Sequence, residues 1–343
     1  MRTSSDELRF TPGLDTVHDA WGYEYVGWED SEMHETYRLS PGLMIGVLFL
    51  SLLAIGSLPA HGSTAGDAAH FLRDGLGASG RAVGSAYVAL ASDFTAPLWN
   101  PAPVVQSPST VVGGGLEQRN SGLFTFSILG GRYDGHWWSA GAVVVTSDVY
   151  DVYHVSGGIW IGSASAGLGL RGYRFGIPGD RGSGLGLDLG VRYAIALGRP
   201  TLMLAAVTRD IGWTSIRWGA IETVAVDRVA WVNCIAAAVT VPFEGGEWEF
   251  ELDGEFSTRR PPNDGESGYL EKAGELNVSL GTVFRWAGLH VRAGVQRFDL
   301  FESGARLRPT IGLGISVGTL SIDLALIPSS LGTTYLAGFQ AEL

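Results

Sequence analysis

The sequence predicts an all-β protein: a transmembrane, antiparallel, up-and-down β-barrel of about 14 strands with a small N-terminal hatch or plug segment. Three observations carry this prediction. An apolar leader precedes the folded part of the chain, long strands alternate large apolar residues with small or charged ones, and the connections between strands alternate in length.

The composition describes a folded protein and excludes several classes. Of the 343 residues, 45% are hydrophobic, 17% are charged and 50 are glycine, so the chain is rich in turns and neither disordered nor collagenous. A formal charge of -12 and a single lysine, Lys272, argue against a nucleic acid partner, because phosphate binding needs clustered basic residues. The one cysteine, Cys234, excludes an intramolecular disulfide framework.

Residues 38–62 have the features of a cleaved signal peptide. An apolar run, Leu43–Leu58, follows Arg38, and the small residues at positions 60 and 62 suit cleavage before Ser63. The run is shorter than the roughly 20 apolar residues of a spanning helix, which favours a signal peptide over a membrane anchor. The sequence therefore predicts export through an inner membrane.

Residues 1–37 form an acidic N-terminal extension that does not fit this leader. They contain nine acids against Arg2 and Arg9, which is the wrong charge for the start of a signal peptide. Our hypothesis is that translation begins at Met33. Detection of residues before Met33 by N-terminal sequencing of the precursor would contradict it.

Residues 63–103 have the composition of a compact hatch segment. Positions 77–93 read Gly-Ala-Ser-Gly-Arg-Ala-Val-Gly-Ser-Ala-Tyr-Val-Ala-Leu-Ala-Ser-Asp, and small residues at this density let backbone segments approach closely. The segment leads to Trp99-Asn100-Pro101-Ala102, where the Asn-Pro pair favours a turn.

Residues 104–343 are predicted to form the barrel. The strongest strand signal is 247–256, where carboxylates occupy every odd position and aromatic residues or leucine occupy most even ones, so that only a period of two separates the two kinds. The predicted strands are 110–117, 122–131, 136–146, 153–162, 164–174, 184–197, 201–209, 227–241, 246–256, 273–286, 287–298, 304–317, 319–327 and 332–343.

Two architectures could use such strands. A soluble antiparallel sheet would bury the apolar face in a core, whereas an outer-membrane barrel turns that face to lipid and lines its lumen with the other. Strands such as 184–197 and 273–286 oppose the apolar face with glycine and with charges, which suits a crowded, curved inner wall. The barrel is therefore favoured, and a soluble periplasmic β-protein is the weaker alternative.

The connections provide a separate indication. With a periplasmic N-terminus the even-numbered connections face the periplasm, and all of them are tight, whereas the outer ones include 175–183, 210–226 and 257–272. Short periplasmic turns with longer outer loops are typical of bacterial outer-membrane barrels.

The hatch segment resembles the N-terminal signature of the PorV/PorQ family, within the FadL-like outer-membrane β-barrel proteins. The likeness covers 77–93 and Trp99-Asn100-Pro101-Ala102, in the order and spacing of the family pattern. The chain departs from that pattern at 83–85 and 102–104, and it ends in Leu343 rather than in an aromatic residue.

The resemblance implies a gate built around Trp99, Asn100, Pro101 and Ala102. In the FadL branch such a hatch gates hydrophobic compounds, which implies passive transport of hydrophobic or amphipathic small molecules. In the PorV branch the barrel serves type IX protein secretion, which implies an accessory barrel that binds cargo or partner subunits. We favour transport and keep secretion as the alternative.

The polar parity of the strands predicts the inner wall. Residues expected to line the lumen are Glu247, Glu249, Glu251, Asp253, Glu255, Arg285, His290, Arg292, Arg306 and Arg308. Acids balanced by arginines are favoured over a calcium site, because ligands two residues apart on a strand do not converge. No catalytic, metal or cofactor site is expected. The expected partners are lipid and a hydrophobic small molecule or secretion-system proteins, in the outer membrane of a Gram-negative-type bacterium.

Overall fold

The computed structural model describes residues 67–104, 108–122, 124–177, 180–219, 227–258, 274–297, 307–329 and 332–343. The acidic extension (1–37), the predicted signal peptide (38–62) and Arg306 lie outside these ranges. Among the described residues, no helix combines the length and the apolar character needed to cross a membrane.

Fourteen strands of the described chain close into one antiparallel barrel. Numbered along the chain, the strands are β1 (Asp67–Ala68), β2 (Ser109–Arg119), β3 (Phe124–Asp134), β4 (Trp138–Thr146), β5 (Tyr150–Ile161), β6 (Ala164–Ile177), β7 (Asp180–Ala196), β8 (Thr201–Arg209), β9 (Thr214–Trp218), β10 (Asp227–Val229), β11 (Trp231–Phe243), β12 (Gly246–Thr258), β13 (Gly274–Trp286), β14 (Leu289–Arg297), β15 (Leu307–Val317), β16 (Leu320–Ile327) and β17 (Thr334–Glu342). The ring comprises β2 to β8 and β11 to β17. It is continuous because β8 pairs with β11 and β17 pairs with β2, which leaves no free edge in the ring.

The predicted barrel is confirmed, with differences at particular strands. The predicted strand 227–241 is two elements, because β10 pairs with β9 whereas β11 pairs with β8 in the ring. Two predicted outer loops are partly strand: 210–226 contains β9, and most of 175–183 belongs to the β6–β7 hairpin. This hairpin is longer than predicted because residues 182–183 of β7 pair with β6 on one side and β9 on the other.

The alternation along the strands sorts residues to the two sides of the wall. In β12, Trp248, Phe250 and Leu252 are 45%, 42% and 51% exposed on the outside. Glu251 and Asp253, on the opposite parity, are buried inside. β15 and β16 expose large aliphatic residues at alternate positions in the same way. An apolar outer face around a filled interior is what a membrane-spanning barrel requires.

The two ends of the barrel differ in their connections. At one end, which we call the short-turn rim, the turns are 135–137, 162–163, 197–200, 244–245, 287–288 and 318–319. The opposite end, the long-loop rim, carries the connections 210–230, 259–273 and 298–306. Its other connections are short, so the predicted difference in loop length rests on these three.

Residues 67–104, which we call the hatch, run through the barrel from the long-loop rim to the short-turn rim. At the start, β1 pairs in parallel with β10. At the end, the carbonyl of Pro103 accepts a hydrogen bond from Ser165 Oγ (2.8 Å), next to the β5–β6 turn. Between them lie a 3-10 turn (His70–Leu72) and two short helices, α1 (Ala78–Ala82) and α2 (Ala96–Trp99). The hatch therefore occupies the interior along its whole length.

Candidate functional site

Trp99 is packed inside the hatch. Its Nε1–H donates to the carbonyl of Leu76 at 3.2 Å, and its ring meets Tyr87 edge to face at 5.6 Å. A Cβ added to Gly75 or Gly80 would lie only 2.2 or 2.5 Å from the indole, so both positions need glycine. Trp99 therefore holds the turns on either side of α1 together.

Asn100 joins the hatch to the wall. Its Nδ2 donates to the carbonyl of Val88 in the hatch (3.3 Å) and to the carbonyl of Val191 in β7 (3.4 Å). Its Oδ1 accepts the backbone N–H of Ala102 at 3.0 Å, which closes the turn predicted at the Asn-Pro pair. All the hydrogen-bonding groups of this buried amide thus serve to position the hatch.

Glycines on the inner face of the wall make room for the hatch backbone. A Cβ on Gly190 would lie 1.9 Å from Asn100 Oδ1, and one on Gly167 would lie 2.1 Å from the carbonyl oxygen of Pro101. Across the barrel, Gly294 has the same relation to Val83, at 2.1 Å. Close approach of the hatch backbone therefore explains why glycines, together with charged residues, occupy the inner face of the strands.

Two carboxylates of β12 bind four consecutive backbone N–H groups of the hatch. Asp253 Oδ2 accepts the first two, at 3.0 and 3.2 Å. Glu251 accepts the next two, at 2.5 Å to Oε1 and 3.2 Å to Oε2. The four donors belong to Tyr87, Val88, Ala89 and Leu90. Hydrogen bonds to charged acceptors are the stronger kind, so this contact contributes substantially to hatch docking.

Arg192 of β7 holds the other side of the same segment. The guanidinium, which is 2% exposed, donates to the carbonyls of Val88 (3.2 and 3.1 Å), Ala91 (3.4 Å) and Ala102 (2.6 Å). Residues 87–91 are thus bound through their N–H groups to one wall and through carbonyls to another. We call Arg192, Glu251 and Asp253 the clamp.

The other predicted acids of β12 do bind arginine. Glu247 lies opposite Arg285 in the sheet register, 2.7 Å from its Nη1, and Glu249 pairs with the same guanidinium. Glu255 is 3.8 Å from Arg209, which sequence reasoning did not single out. The expected pairing of these acids with the predicted lumen arginines is therefore wrong for Glu255, which binds Arg209 of β8, and for Glu251 and Asp253, because the hatch supplies their donors.

Two of the arginines predicted to line the lumen connect the wall to the hatch through a carboxylate. Arg292 Nη1 donates to Asp323 Oδ1 at 2.5 Å, and Asp323 Oδ2 accepts from Ser79 Oγ of α1 at 3.0 Å. Arg308 Nη1 lies 3.3 Å from Asp74 Oδ1 of the hatch. These contacts hold the α1 half of the hatch against β14 to β16.

His290 and Arg306 were also predicted to line the lumen. The His290 ring lies 3.3 Å from Arg292 Nη2 and 3.4 Å from Ser316 Oγ, two wall residues, and is half-buried near the short-turn rim. Arg306 lies outside the described residues. Neither provides a described contact to the hatch.

A buried charge cluster on β2 was missed by the sequence reasoning. Arg119 donates to the carbonyls of Phe71 and Gly75 in the hatch (2.9 Å each) and to Glu117 Oε1 (2.6 Å). Glu117 is fully buried and lies 3.7 Å from Arg81 of α1. The available signal was the shared parity of Glu117 and Arg119, which places both on the same face of the strand. It was missed because the predicted strand ended at 117, two residues before Arg119.

One part of the inner wall is apolar. Phe71 of the hatch stacks on Phe126 of β3 at 4.9 Å and contacts Tyr150 of β5 at 5.1 Å, and Tyr150 meets Phe175 of β6 at 5.1 Å. The wall side chains of this cluster, which we call the apolar wall, are Phe126, Ile128, Val143, Val145, Val152, Tyr173 and Phe175. The hatch side chains against it include Leu72, Leu76, Phe94 and Leu98. The apolar wall covers the part of β3 to β6 nearest the long-loop rim. Further along the same strands the inner face is charged, since the buried His154 of β5 and Arg171 of β6 lie 3.3 and 2.6 Å from Asp188 of β7.

Small cavities separate the hatch from the wall in places. One of about 20 Å³ lies between Asn100, Arg132 and Arg192, and one of about 10 Å³ lies between Trp99, Asp253 and Gln296. Each is of the size of a single water site. Within the described residues, no group of three or more His, Cys, Asp or Glu side chains is placed to hold a metal ion. A solute larger than water needs the hatch to move at these points.

Asp93 begins the turn that leads into α2. Its Oδ1 accepts the backbone N–H (2.9 Å) and the hydroxyl (2.6 Å) of Thr95. Burial raises the pKa of this carboxyl, an effect that the hydrogen bonds from Thr95 oppose. Asp93 is therefore a hatch residue whose ionisation opposes docking.

Comparison with known proteins supports the fold. No protein-family model matches the sequence, and no curated protein matches it. The chain is similar in structure to CymD, a monoaromatic hydrocarbon channel, with a TM-score of 0.51 and 12% identity over 78% of this chain and 97% of CymD. It also aligns with the toluene transporter TbuX of Ralstonia pickettii, with a TM-score of 0.47 and 12% identity over 79% of this chain and 99% of TbuX. At 12% identity, the similarity to CymD shows a shared barrel fold alone.

Proposed function

We propose that this protein is an outer-membrane channel for the gated, passive passage of hydrophobic or amphipathic small molecules, with the hatch as its gate. The observation that carries the proposal is the apolar wall beside a hatch that fills the barrel. The fold shared with CymD, a monoaromatic hydrocarbon channel, is compatible with this role.

The apolar wall distinguishes this interior from that of a water-filled pore. A porin lines its lumen with polar groups, whereas here seven large apolar side chains of β3 to β6 face inward. The aromatic contacts continue from Phe71 through Tyr150 and Phe175 to Trp218 of β9, at the long-loop rim. Such a surface can contact a hydrophobic solute favourably, whereas a charged wall cannot.

The way the hatch is held suits a gate. Apart from the two-residue pairing of β1 with β10, its polar contacts with the wall described above run through side chains, namely the clamp, Asn100, Asp323 and Arg119. Side-chain contacts can be exchanged for water without breaking the hydrogen-bond ladder of the barrel. The hatch can therefore shift while the barrel stays closed.

The proposal also gives the protein a cellular location. The predicted signal peptide would direct export through the inner membrane, and the apolar outer face suits the barrel to the outer membrane of a Gram-negative-type bacterium. The PorV/PorQ resemblance stays a prediction from residues 77–102. No observation of the described residues favours the secretion-accessory role, so transport is the function we propose.

The test is removal of the packing at the gate. The double substitution Trp99→Ala and Asn100→Ala removes the indole from Gly75 and Gly80, a loss of about 3–5 kcal/mol for a buried tryptophan, and breaks the link to β7. We expect faster uptake of a hydrophobic fluorescent probe by proteoliposomes and higher conductance in planar bilayers. Trp286→Ala, at an outer-face tryptophan that is 54% exposed, is the matched control.

A correctly folded double variant, shown by heat-modifiable gel mobility, with unchanged uptake and conductance would contradict gating at this site. Equal increases in the double variant and in Trp286→Ala would indicate general leakage rather than gating.

A further inference from the structure

Three arginines share the outer face of the barrel at the long-loop rim. Arg174 of β6 and Arg217 of β9 both lie opposite Ser183 of β7 in the sheet register. Residues directly opposite one another in an antiparallel sheet point to the same side. Arg181, two residues from Ser183 along β7, points to that side as well. All four side chains are exposed.

The position of these arginines relative to the apolar band indicates their surroundings. Leu185, Leu187 and Leu189 follow Ser183 on the same face of β7 and are exposed. Two residues span roughly 7 Å of strand, which at a tilt of about 45° is roughly 5 Å along the membrane normal. Arg174 and Arg217 thus lie roughly 5 Å beyond the uppermost leucine. That distance corresponds to the polar headgroup layer, which extends about 5–7 Å beyond the hydrocarbon core on each side.

Within the described residues, the charges of these three arginines are not balanced by ion pairs. Asp151 of β5 lies opposite Arg174 in register, and Asp148 is exposed in the β4–β5 turn. Among the described residues, however, neither these acids nor any other carboxylate comes within 4.0 Å of the guanidinium groups of Arg174, Arg181 or Arg217. Three arginines against two acids leave the face positive, in a chain whose overall charge is -12.

We propose that Arg174, Arg217 and Ser183 bind the phosphate of a lipid headgroup in the leaflet at the long-loop rim, with Arg181 completing the site. Strands in a sheet are about 4.8 Å apart, so the two arginines that flank Ser183 are about 10 Å apart at their Cα atoms. A phosphate above Ser183 can accept from both planar guanidinium forks and from the hydroxyl. The aliphatic stems of the arginines lie on the apolar band while their heads reach the headgroup layer.

The site does not depend on transport through the interior. It needs only that the barrel spans a membrane with its long-loop rim at a headgroup layer. The two proposals can therefore fail separately: a change in lipid binding leaves probe uptake unaffected, and a hatch variant leaves lipid binding unaffected.

Native mass spectrometry of the folded, full-length mature protein in detergent tests the proposal. Phosphatidic acid, a phosphomonoester lipid, is titrated in parallel with diacylglycerol, which has the same acyl chains and no phosphate. The double variant Arg174→Gln and Arg217→Gln is compared with Arg199→Gln, an exposed arginine in the turn 197–200 at the short-turn rim. At roughly fivefold per arginine near a charged surface, we expect roughly 30-fold weaker binding of phosphatidic acid by the double variant and no change for Arg199→Gln.

Three results would overturn the site. Equal retention of phosphatidic acid by the double variant and the wild type would show that these arginines do not bind it. Equal affinity for diacylglycerol would show that the phosphate is not what is recognised. Full displacement of the lipid by an equal concentration of inorganic phosphate would show a free-anion site rather than a lipid site.

Discussion

Replacing Glu251 by glutamine should loosen the hatch more than replacing Asp253 by asparagine, although both changes remove one carboxylate charge from the clamp. Each carboxylate oxygen of Glu251 accepts one hatch N–H, so the amide nitrogen of glutamine must face an N–H donor and lose that bond. Asp253 receives both of its N–H groups at Oδ2, while its Oδ1 has no hydrogen-bond partner in the described part of the chain. Asparagine can therefore turn its carbonyl oxygen to both donors and keep both bonds.

The difference between the two variants is the cost of one buried, unsatisfied N–H, about 1–3 kcal/mol. Local opening of the segment 87–90 should therefore be roughly 5- to 150-fold more frequent in Glu251→Gln than in Asp253→Asn, from the free-energy equivalence of the same range. Hydrogen exchange of hatch peptides, followed by mass spectrometry in detergent, measures this ratio directly.

The control for this experiment is Glu247→Gln. Glu247 shares the strand and the inward parity but pairs with Arg285 of the wall, so its loss should leave exchange of residues 87–90 unchanged. Equal exchange rates in Glu251→Gln and Asp253→Asn, or a comparable acceleration in Glu247→Gln, would refute the assignment of the clamp.

Three further substitutions test the seat of the hatch. Gly190→Ala places a Cβ 1.9 Å from Asn100 Oδ1 and should weaken hatch docking by about 1–3 kcal/mol. Faster proteolysis of the hatch would show this loss. The control is Gly254→Ala, whose Cβ has nothing within 4 Å and which should leave the proteolysis rate unchanged. Arg192→Met leaves the buried carbonyls of Val88, Ala91 and Ala102 without this donor, at a cost of about 1–3 kcal/mol, and an unchanged midpoint of thermal unfolding in detergent would contradict the clamp. Because burial raises the pKa of Asp93, its ionisation destabilises the folded state above that pKa, and this penalty is lost as pH falls. Asp93→Asn should thus be more stable than wild type at pH 8, with a gap that closes towards about pH 4, and a gap that is independent of pH would refute the role of ionisation.

The barrel could be predicted from the sequence because its signal is local. In β12 the acids and the aromatic residues alternate residue by residue, and the side of the wall on which each lies follows from the geometry of a single strand. The close packing of the hatch could be predicted for the same reason, because glycine and alanine permit close approach of the backbone wherever they occur. The break at Ala230 and the length of the β6–β7 hairpin were not predicted, because both depend on pairing with β9, a short strand outside the ring that the sequence reasoning placed in a loop.

The contacts within the barrel could not be read from the strands alone. Glu247, Glu249, Glu251 and Asp253 are equivalent in the pattern, yet the first two bind Arg285 and the last two bind the hatch backbone. The hatch partners of Glu251 and Asp253 lie 162 and 166 residues away in the chain, and no local period records which segment arrives at which acid. Alternation along the chain therefore specified a wall with an apolar outer face and a polar inner face. Long-range packing decided which inward charges hold the hatch, because the role of a buried carboxylate depends on the hydrogen-bond donor that the folded chain packs against it.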